Sequence, residues 1–65
     1  MPSSVISRYD YNPETKTLRI VYVSGLIYDY LDVQADVFLA MKAAFSKGTF
    51  LNEKIKGNYE FKKIN

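Results

Sequence analysis

The sequence predicts an α+β fold: a three-stranded antiparallel meander with one main helix across one face, a second short helix, and a short C-terminal strand or extended tail. Two observations favour it. In residues 4–31 apolar and polar side chains alternate with the two-residue period of half-buried strands, interrupted by turn residues. In residues 34–55 the apolar spacing changes to that of helices. Short turns between successive runs favour neighbouring antiparallel strands.

Length and composition limit how such a fold is stabilised. The 65 residues predict one domain, spanning 1–65, near the lower size limit for a core without cross-links. There is no cysteine, so six tyrosines and four phenylalanines must supply much of the buried area. No apolar run approaches the ~18 residues of a membrane span, and the polar start Met1-Pro2-Ser3-Ser4 is unlike a signal peptide. We therefore expect a cytoplasmic protein with no membrane partner.

The first two predicted strands, Ser4–Tyr11 and Thr17–Val23, flank a segment whose residue types favour a β-turn. The segment Asn12-Pro13-Glu14-Thr15 separates them. An asparagine side chain can accept hydrogen bonds from the backbone of the turn, and a proline at the next position presets φ. The pattern predicts a β-hairpin.

The register of the third strand, Leu26–Leu31, depends on the turn before it, because a slip of one residue exchanges the two faces of the strand. A two-residue loop would place Asp29 opposite Ile20, on the apolar face. A three-residue loop, Val23-Ser24-Gly25, with Gly25 in the left-handed conformation, places Asp29 opposite Arg19. We prefer the second register, which puts Tyr28 and Tyr30 in the core. Under the first, these tyrosines would lie on the open face as a stacking platform for bases.

The second half of the chain is predicted to be helical. An apolar stripe favours a helix over Gln34–Phe45, and Ser46 can cap a second helix over Lys47–Ile55, with Gly57 as its stop. Beyond it, aromatic and charged residues alternate, which is compatible with an edge strand or an extended tail. We expect one core cluster formed by Leu18, Ile20, Tyr28, Tyr30, Val37, Met41 and Phe45.

The residue types exclude most catalytic chemistry. Without histidine or cysteine there is no thiol nucleophile, no imidazole acid–base pair and no His/Cys metal site. Asp29 and Asp32 form a conceivable carboxylate pair, but Asp29 is better explained as the partner of Arg19 and Asp32 as a strand-exit or capping residue. We therefore expect no enzyme activity from this chain alone, no cofactor, no metal and no small-molecule substrate.

An ordered set of short motifs resembles the KTSC domain family, named for the C-terminus of some lysyl-tRNA synthetases and also found as free-standing bacterial and phage proteins. The resemblance covers the whole chain. The family is regarded as uncharacterised, with RNA binding suggested by the synthetase context. Tyr28 and Tyr30 match its central Tyr-x-Tyr motif, which carries no established functional role. The motifs that carry the resemblance are Val5-Ile6, Pro13-Glu14-Thr15, Ser24-Gly25, Tyr28-Asp29-Tyr30, Ser46-Lys47-Gly48, Asn52, Ile55, Gly57 and Tyr59.

Charge is unevenly distributed along the chain. Residues 1–41 carry three basic and five acidic side chains, a net −2, whereas residues 42–65 carry six basic and two acidic ones, a net +4. Lysines supply sequence-independent contacts to phosphates. Together with the resemblance, this split predicts weak binding of RNA or another polyanion through Lys47, Lys54, Lys56, Lys62 and Lys63, with hydrogen bonds from Asn52 or the Gly48 backbone.

A protein partner is the alternative. An antiparallel sheet with an edge strand can recruit a partner by strand addition or through an apolar patch. Leu39 lies off the main stripe of the first helix, and Ile6 and Val21 are predicted on the sheet face away from that helix. Together they would form such a patch.

Overall fold

The structure, a computed structural model, describes residues 5–65, and its elements follow the predicted order. Ser4, the first residue of the predicted first strand, lies outside the described residues. The strands pair in the order β1-β2-β3-β4 as one antiparallel sheet. The elements are β1 (Ile6–Asn12), β2 (Thr17–Tyr22), β3 (Ile27–Tyr30), α1 (Ala35–Ala43), α2 (Lys47–Phe50), a π-helical segment (Leu51–Ile55) and β4 (Phe61–Lys63).

The β1–β2 hairpin forms with the predicted turn chemistry. The Asn12 side-chain oxygen accepts hydrogen bonds from the backbone N–H groups of Glu14 at 2.9 Å and Thr15 at 3.4 Å. The register shifts between Ile6 and Arg8, which is a β-bulge at the start of β1. Because of this bulge, Ile6 pairs with Tyr22 and is buried on the helix-covered face. The prediction that Ile6 lies on the opposite face is therefore wrong.

The β2–β3 hairpin has the three-residue turn that the sequence favours. Gly25 has a φ of +97°, its N–H donates to the Tyr22 carbonyl at 2.9 Å, and the Tyr22 N–H donates to the Leu26 carbonyl at 2.8 Å. Arg19 lies opposite Asp29 and Leu18 opposite Tyr30. The two tyrosines of the Tyr-x-Tyr motif therefore share the face of Leu18 and Ile20, as predicted.

Helix α1 begins where expected but ends early. It starts after Gln34, carries Asp36 in its first turn, and stops at Ala43, because Ala44 adopts an extended conformation with ψ of 140°. The chain must become extended here because Ser46 caps the next helix from an extended conformation. Phe45 is consequently turned out of the apolar stripe and is 95% exposed. Its predicted place in the core is wrong.

The second helical stretch covers the predicted residues with a change of helix type. The Ser46 hydroxyl accepts a hydrogen bond from the Thr49 N–H at 3.3 Å, as a capping residue does. From Leu51 the helix widens into a π-helix. The Lys56 N–H donates a hydrogen bond to the Leu51 carbonyl at 2.8 Å, five residues earlier. Gly57 follows with a φ of +82° and ends the stretch.

The C-terminal tail forms a fourth strand, which decides the alternative that the sequence left open. In β4, Phe61 pairs with Tyr30, Lys62 with Asp29 and Lys63 with Tyr28. Further hydrogen bonds join Leu31 to Glu60 at 2.8 Å and Ile64 to Ile27 at 2.7 Å. The inner face of the sheet, the one the helices cover, therefore extends to Phe61 and Lys63.

The buried core lies between the inner face of the sheet and the helices. It keeps four of the predicted residues, whereas Tyr28 and Val37 are only partly buried and pack against its edge. Val33, in the β3–α1 loop, also belongs to the core, and its N–H donates a hydrogen bond to the Lys16 carbonyl at 2.8 Å. Among residues 5–65 no helix has the length and apolar character to cross a membrane. The buried residues are Ile6, Leu18, Ile20, Tyr30, Val33, Met41, Leu51 and Ile55.

Two aromatic truncations test this division between core and surface. Tyr30 is 2% exposed and Phe45 is 95% exposed. Tyr30→Ala should destabilise the fold by about 3–5 kcal/mol, enough to unfold a domain of this size, because it removes a ring from the packed core. Phe45→Ala should change the free energy of unfolding by less than about 0.5 kcal/mol. Urea denaturation followed by circular dichroism measures both, and equal losses would contradict the assignment.

Candidate functional site

Aromatic rings line the inner face of the sheet from β1 to β4, and their surroundings differ between its two halves. On β1, Tyr11 stacks on Phe38 of α1 at 4.7 Å between ring centroids, and Tyr9 meets the same ring edge-on at 5.9 Å. The Tyr11 hydroxyl also donates to the Val33 carbonyl. On the β3–β4 half, Tyr28 stacks instead on Phe61 at 5.2 Å and 20° between planes. These two rings belong to the sheet alone, and Phe61 is 54% exposed.

The two tyrosines of the Tyr-x-Tyr motif differ in role. Tyr30 is buried, and its hydroxyl lies 3.0 Å from the Tyr22 hydroxyl. Burial raises the pKa of the Tyr30 phenol well above its ordinary value, and the hydrogen bond with Tyr22 raises it further. Tyr28 is half-buried, with its ring edge-on to Tyr22 at 5.5 Å and 82°. Tyr30 is therefore structural, whereas Tyr28 connects the core to the surface.

The predicted lysines do not form one patch. Lys56 places its ammonium 5.6 Å from the centroid of the Tyr22 ring, and Lys63 stands opposite Tyr28 on the inner face. Lys62 pairs with Asp29 on the outer face. The Lys47 ammonium lies 3.5 Å from the Ala44 carbonyl at the end of α1. Lys54 borders a separate depression beside Phe45 and Phe50.

The structure does bring together three predicted site residues. Gly48, Asn52 and Lys56 line one open depression of about 330 Å³ next to the start of α2. Lys56 also borders a second depression of about 190 Å³, formed with Tyr22, Ser24, Leu26 and Tyr28. Lys56 therefore borders both the polar depression and the aromatic half of the sheet, at Tyr22 and Tyr28.

The outer face of the sheet carries an ion pair. The Arg19 guanidinium donates to both Asp29 carboxylate oxygens, at 2.7 and 3.0 Å. This hydrogen bond raises the pKa of Arg19. Asp32 is exposed on the turn after β3 with a φ of 58°. Within residues 5–65, no group of three or more acidic side chains is placed to hold a metal ion.

Sequence reasoning missed the exposed ring of Phe61 and the cation–π contact of Lys56. The alternation of Tyr59 and Phe61 with Glu60 and Lys62 indicated a strand, which was the available signal. It did not indicate which face of the sheet Phe61 would join, because the pairing of β4 with β3 sets that. The contact between Lys56 and Tyr22 depends on how the π-helical segment packs, which no local pattern encodes.

Comparison with known proteins identifies relatives over nearly the whole chain. The family model described as the KTSC domain matches residues 2–59. Lysine–tRNA ligases of Nostoc punctiforme and of a second Nostoc strain are 38% and 36% identical over 61 residues. These matches cover 94% of this chain but only 11% of each ligase. The chain therefore spans a small part of the curated relatives it matches.

A solved structure shares the fold. The crystal structure of a KTSC domain protein from Yersinia pestis superposes with a TM-score of 0.80 at 33% sequence identity. The match covers 100% of this chain and 94% of that protein. The four-stranded sheet and its helices are therefore also the architecture of a small protein of nearly the same extent.

The burial of Tyr30 has a consequence for stability at high pH. Because its pKa is raised in the folded state, folding favours the neutral phenol. This contribution is complete below the ordinary tyrosine pKa of about 10 and is lost as the pH rises above it. Tyr30→Phe removes the titrating group, so its free energy of unfolding should fall less than that of the parent between pH 8 and pH 11.

Urea denaturation at the two pH values measures this difference. At pH 8 the variant should be less stable by about 0.5–1.5 kcal/mol, the contribution of one hydrogen bond. Tyr22→Phe removes the same hydrogen bond and leaves Tyr30 buried, so it should keep most of the pH dependence. If parent and Tyr30→Phe lose stability equally on raising the pH, Tyr30 does not titrate as the buried phenol described here.

Proposed function

This chain belongs to the KTSC domain family, and we propose that it is a small binding module that holds RNA or another polyanion weakly through its lysine-rich C-terminal third. The observation that carries the proposal is the position of Lys56, between the depression of Gly48 and Asn52 and the aromatic half of the sheet. Lys63 adds a second cation on that half. Lysine ammonium groups neutralise phosphates and displace their counterions.

The relatives support the same class of ligand. The two Nostoc proteins are named as ligases that act on lysine and tRNA. The region of each ligase that matches this chain therefore lies in a protein named for tRNA. The net charge of +4 on residues 42–65 suits a phosphate backbone. Residues 42–65 contain no arginine, so bidentate recognition of guanine or phosphate is not part of the proposal. The binding is expected to be weak and independent of base sequence.

Salt dependence and charge reversal test the proposal. If about four phosphates of a single-stranded RNA are neutralised, the logarithm of the affinity should fall against the logarithm of the salt concentration with a slope of roughly −3. The double variant Lys56→Glu, Lys63→Glu should weaken binding to all sequences alike. An NMR titration with short RNA at low salt gives both the affinity and the residues involved.

A matched control distinguishes binding at a specific site from general attraction by the net charge of the protein. Arg8→Glu with Lys16→Glu changes the charge by the same amount, at exposed residues in the part of the chain that the proposal leaves out. This control should bind nearly as the parent does. Equal losses in the two double variants would show only general attraction to a positive protein, and no chemical shift changes at residues 46–63 at millimolar RNA would contradict the proposal.

A second candidate function is a protein contact, and the observation that favours it is Phe45. The patch predicted from Ile6, Val21 and Leu39 does not form, because Ile6 is buried and Leu39 is exposed on the helix side, opposite the outer-face Val21. Phe45 is nearly fully exposed beside a depression of about 340 Å³ that it shares with Ala44 and Phe50. In a two-fold symmetric dimer, each copy could insert its Phe45 ring into the depression of the other copy.

Sedimentation over a range of concentrations tests this second candidate. Association through Phe45 would persist at high salt and disappear in Phe45→Lys, whereas Leu39→Lys, at another exposed apolar residue, would retain it. A parent that stays monomeric at millimolar concentration contradicts it.

A further inference from the structure

Tyr28 and Phe61 form a stacked pair of rings, the ring platform, and Phe61 is its exposed member. Both rings lie on the inner face of the sheet, yet the helix-borne ring of Phe38 contacts Tyr9 and Tyr11, on the opposite edge. Phe61 belongs to a three-residue edge strand and is 54% exposed. A large aromatic ring thus remains in solvent on the face that otherwise forms the core.

The platform packs against the core through Tyr30. Phe61 contacts both tyrosines of the motif, with ring centroids 5.2 Å from Tyr28 and 5.8 Å from Tyr30. Tyr30 is in turn fixed by burial and by its hydroxyl contact with Tyr22. A ring whose orientation is set before binding loses little conformational entropy when a flat ligand stacks on it.

Two cations flank the platform. Lys63 is two residues from Phe61 on the same side of β4 and stands opposite Tyr28. Lys56 lies over the ring of Tyr22, which is itself edge-on to Tyr28. The rings of Tyr22, Tyr28 and Phe61 therefore form one aromatic surface, with Lys56 at one end and Lys63 beside the other rings. Base stacking on such rings, with lysines at the backbone, is how proteins hold single strands.

We propose that this surface binds a single-stranded nucleic acid, with an unpaired base stacked on Phe61 and the flanking phosphates on Lys56 and Lys63. The inference rests on the proposed function and adds the part of the ligand that is recognised, a base and not phosphate alone. A duplex would bind more weakly, because its bases are already stacked on each other. Phe61 and Lys63 lie beyond residues 2–59, the part that the family model matches, so the assignment comes from the geometry of this chain.

Phe61→Trp converts the platform into a fluorescent probe, since the chain contains no tryptophan. We would titrate this variant at low salt with single-stranded oligouridylate, with a duplex of the same length, and with inorganic polyphosphate. Stacking should quench the tryptophan with the single strand and leave it unchanged with polyphosphate. In the otherwise unaltered chain, Phe61→Ala should weaken oligouridylate binding by about 5- to 150-fold, the range for one stacking aromatic, and leave polyphosphate binding unchanged.

The controls distinguish the two levels of the proposal. Leu39→Ala removes another exposed apolar side chain and should bind as the parent does. If Phe61→Ala melts early, Phe61→Leu keeps apolar contact with Tyr28 but removes the aromatic face, and it should show the same selective loss. If neither Phe61 variant changes the binding of oligouridylate or of polyphosphate, base stacking on Phe61 is overturned and the proposed polyanion binding stands. No binding of any polyanion by the parent would overturn the proposed function itself.

Discussion

The register of the β2–β3 hairpin is the constraint on which the rest of this structure depends. The turn has three residues, and Gly25 closes it with a φ of +97° that other residues adopt only with strain. This turn pairs Arg19 with Asp29 outside and Leu18 with Tyr30 inside. A shift of one residue would bury the Asp29 carboxylate against the helices and expose both tyrosines. One glycine therefore decides where the charges and the rings of the central strands lie.

The exposed platform is a consequence of that register in a chain this short. With no disulfide available, the fold relies on aromatic packing, and rings occur on β1, β2, β3 and β4 of the inner face. Helix α1 has only nine residues, and its Phe38 contacts the rings of β1. The ring of Phe61 on β4 therefore remains largely exposed, and Lys63 lies on the same side of its strand.

Local chemistry explains what the sequence could predict. The Asn12 turn, the Gly25 turn, the Ser46 cap and the Gly57 stop each act within a few residues, and all four form as expected. The errors lie where distant segments decide. Ile6 is buried because of a bulge, and Phe45 is exposed because α1 must end before Ser46. The lysines looked like one cluster along the chain, but strand alternation sends Lys62 and Lys63 to opposite faces of the sheet.

Cross-strand nuclear Overhauser effects test the hairpin register most directly. Arg19 and Asp29 form a pair without mutual backbone hydrogen bonds, as do Val21 and Ile27, so their Hα atoms lie close together. The three-residue turn predicts strong Hα–Hα effects for both pairs in the folded protein. An effect joining Asp29 to Ile20, as a two-residue turn would produce, would contradict it.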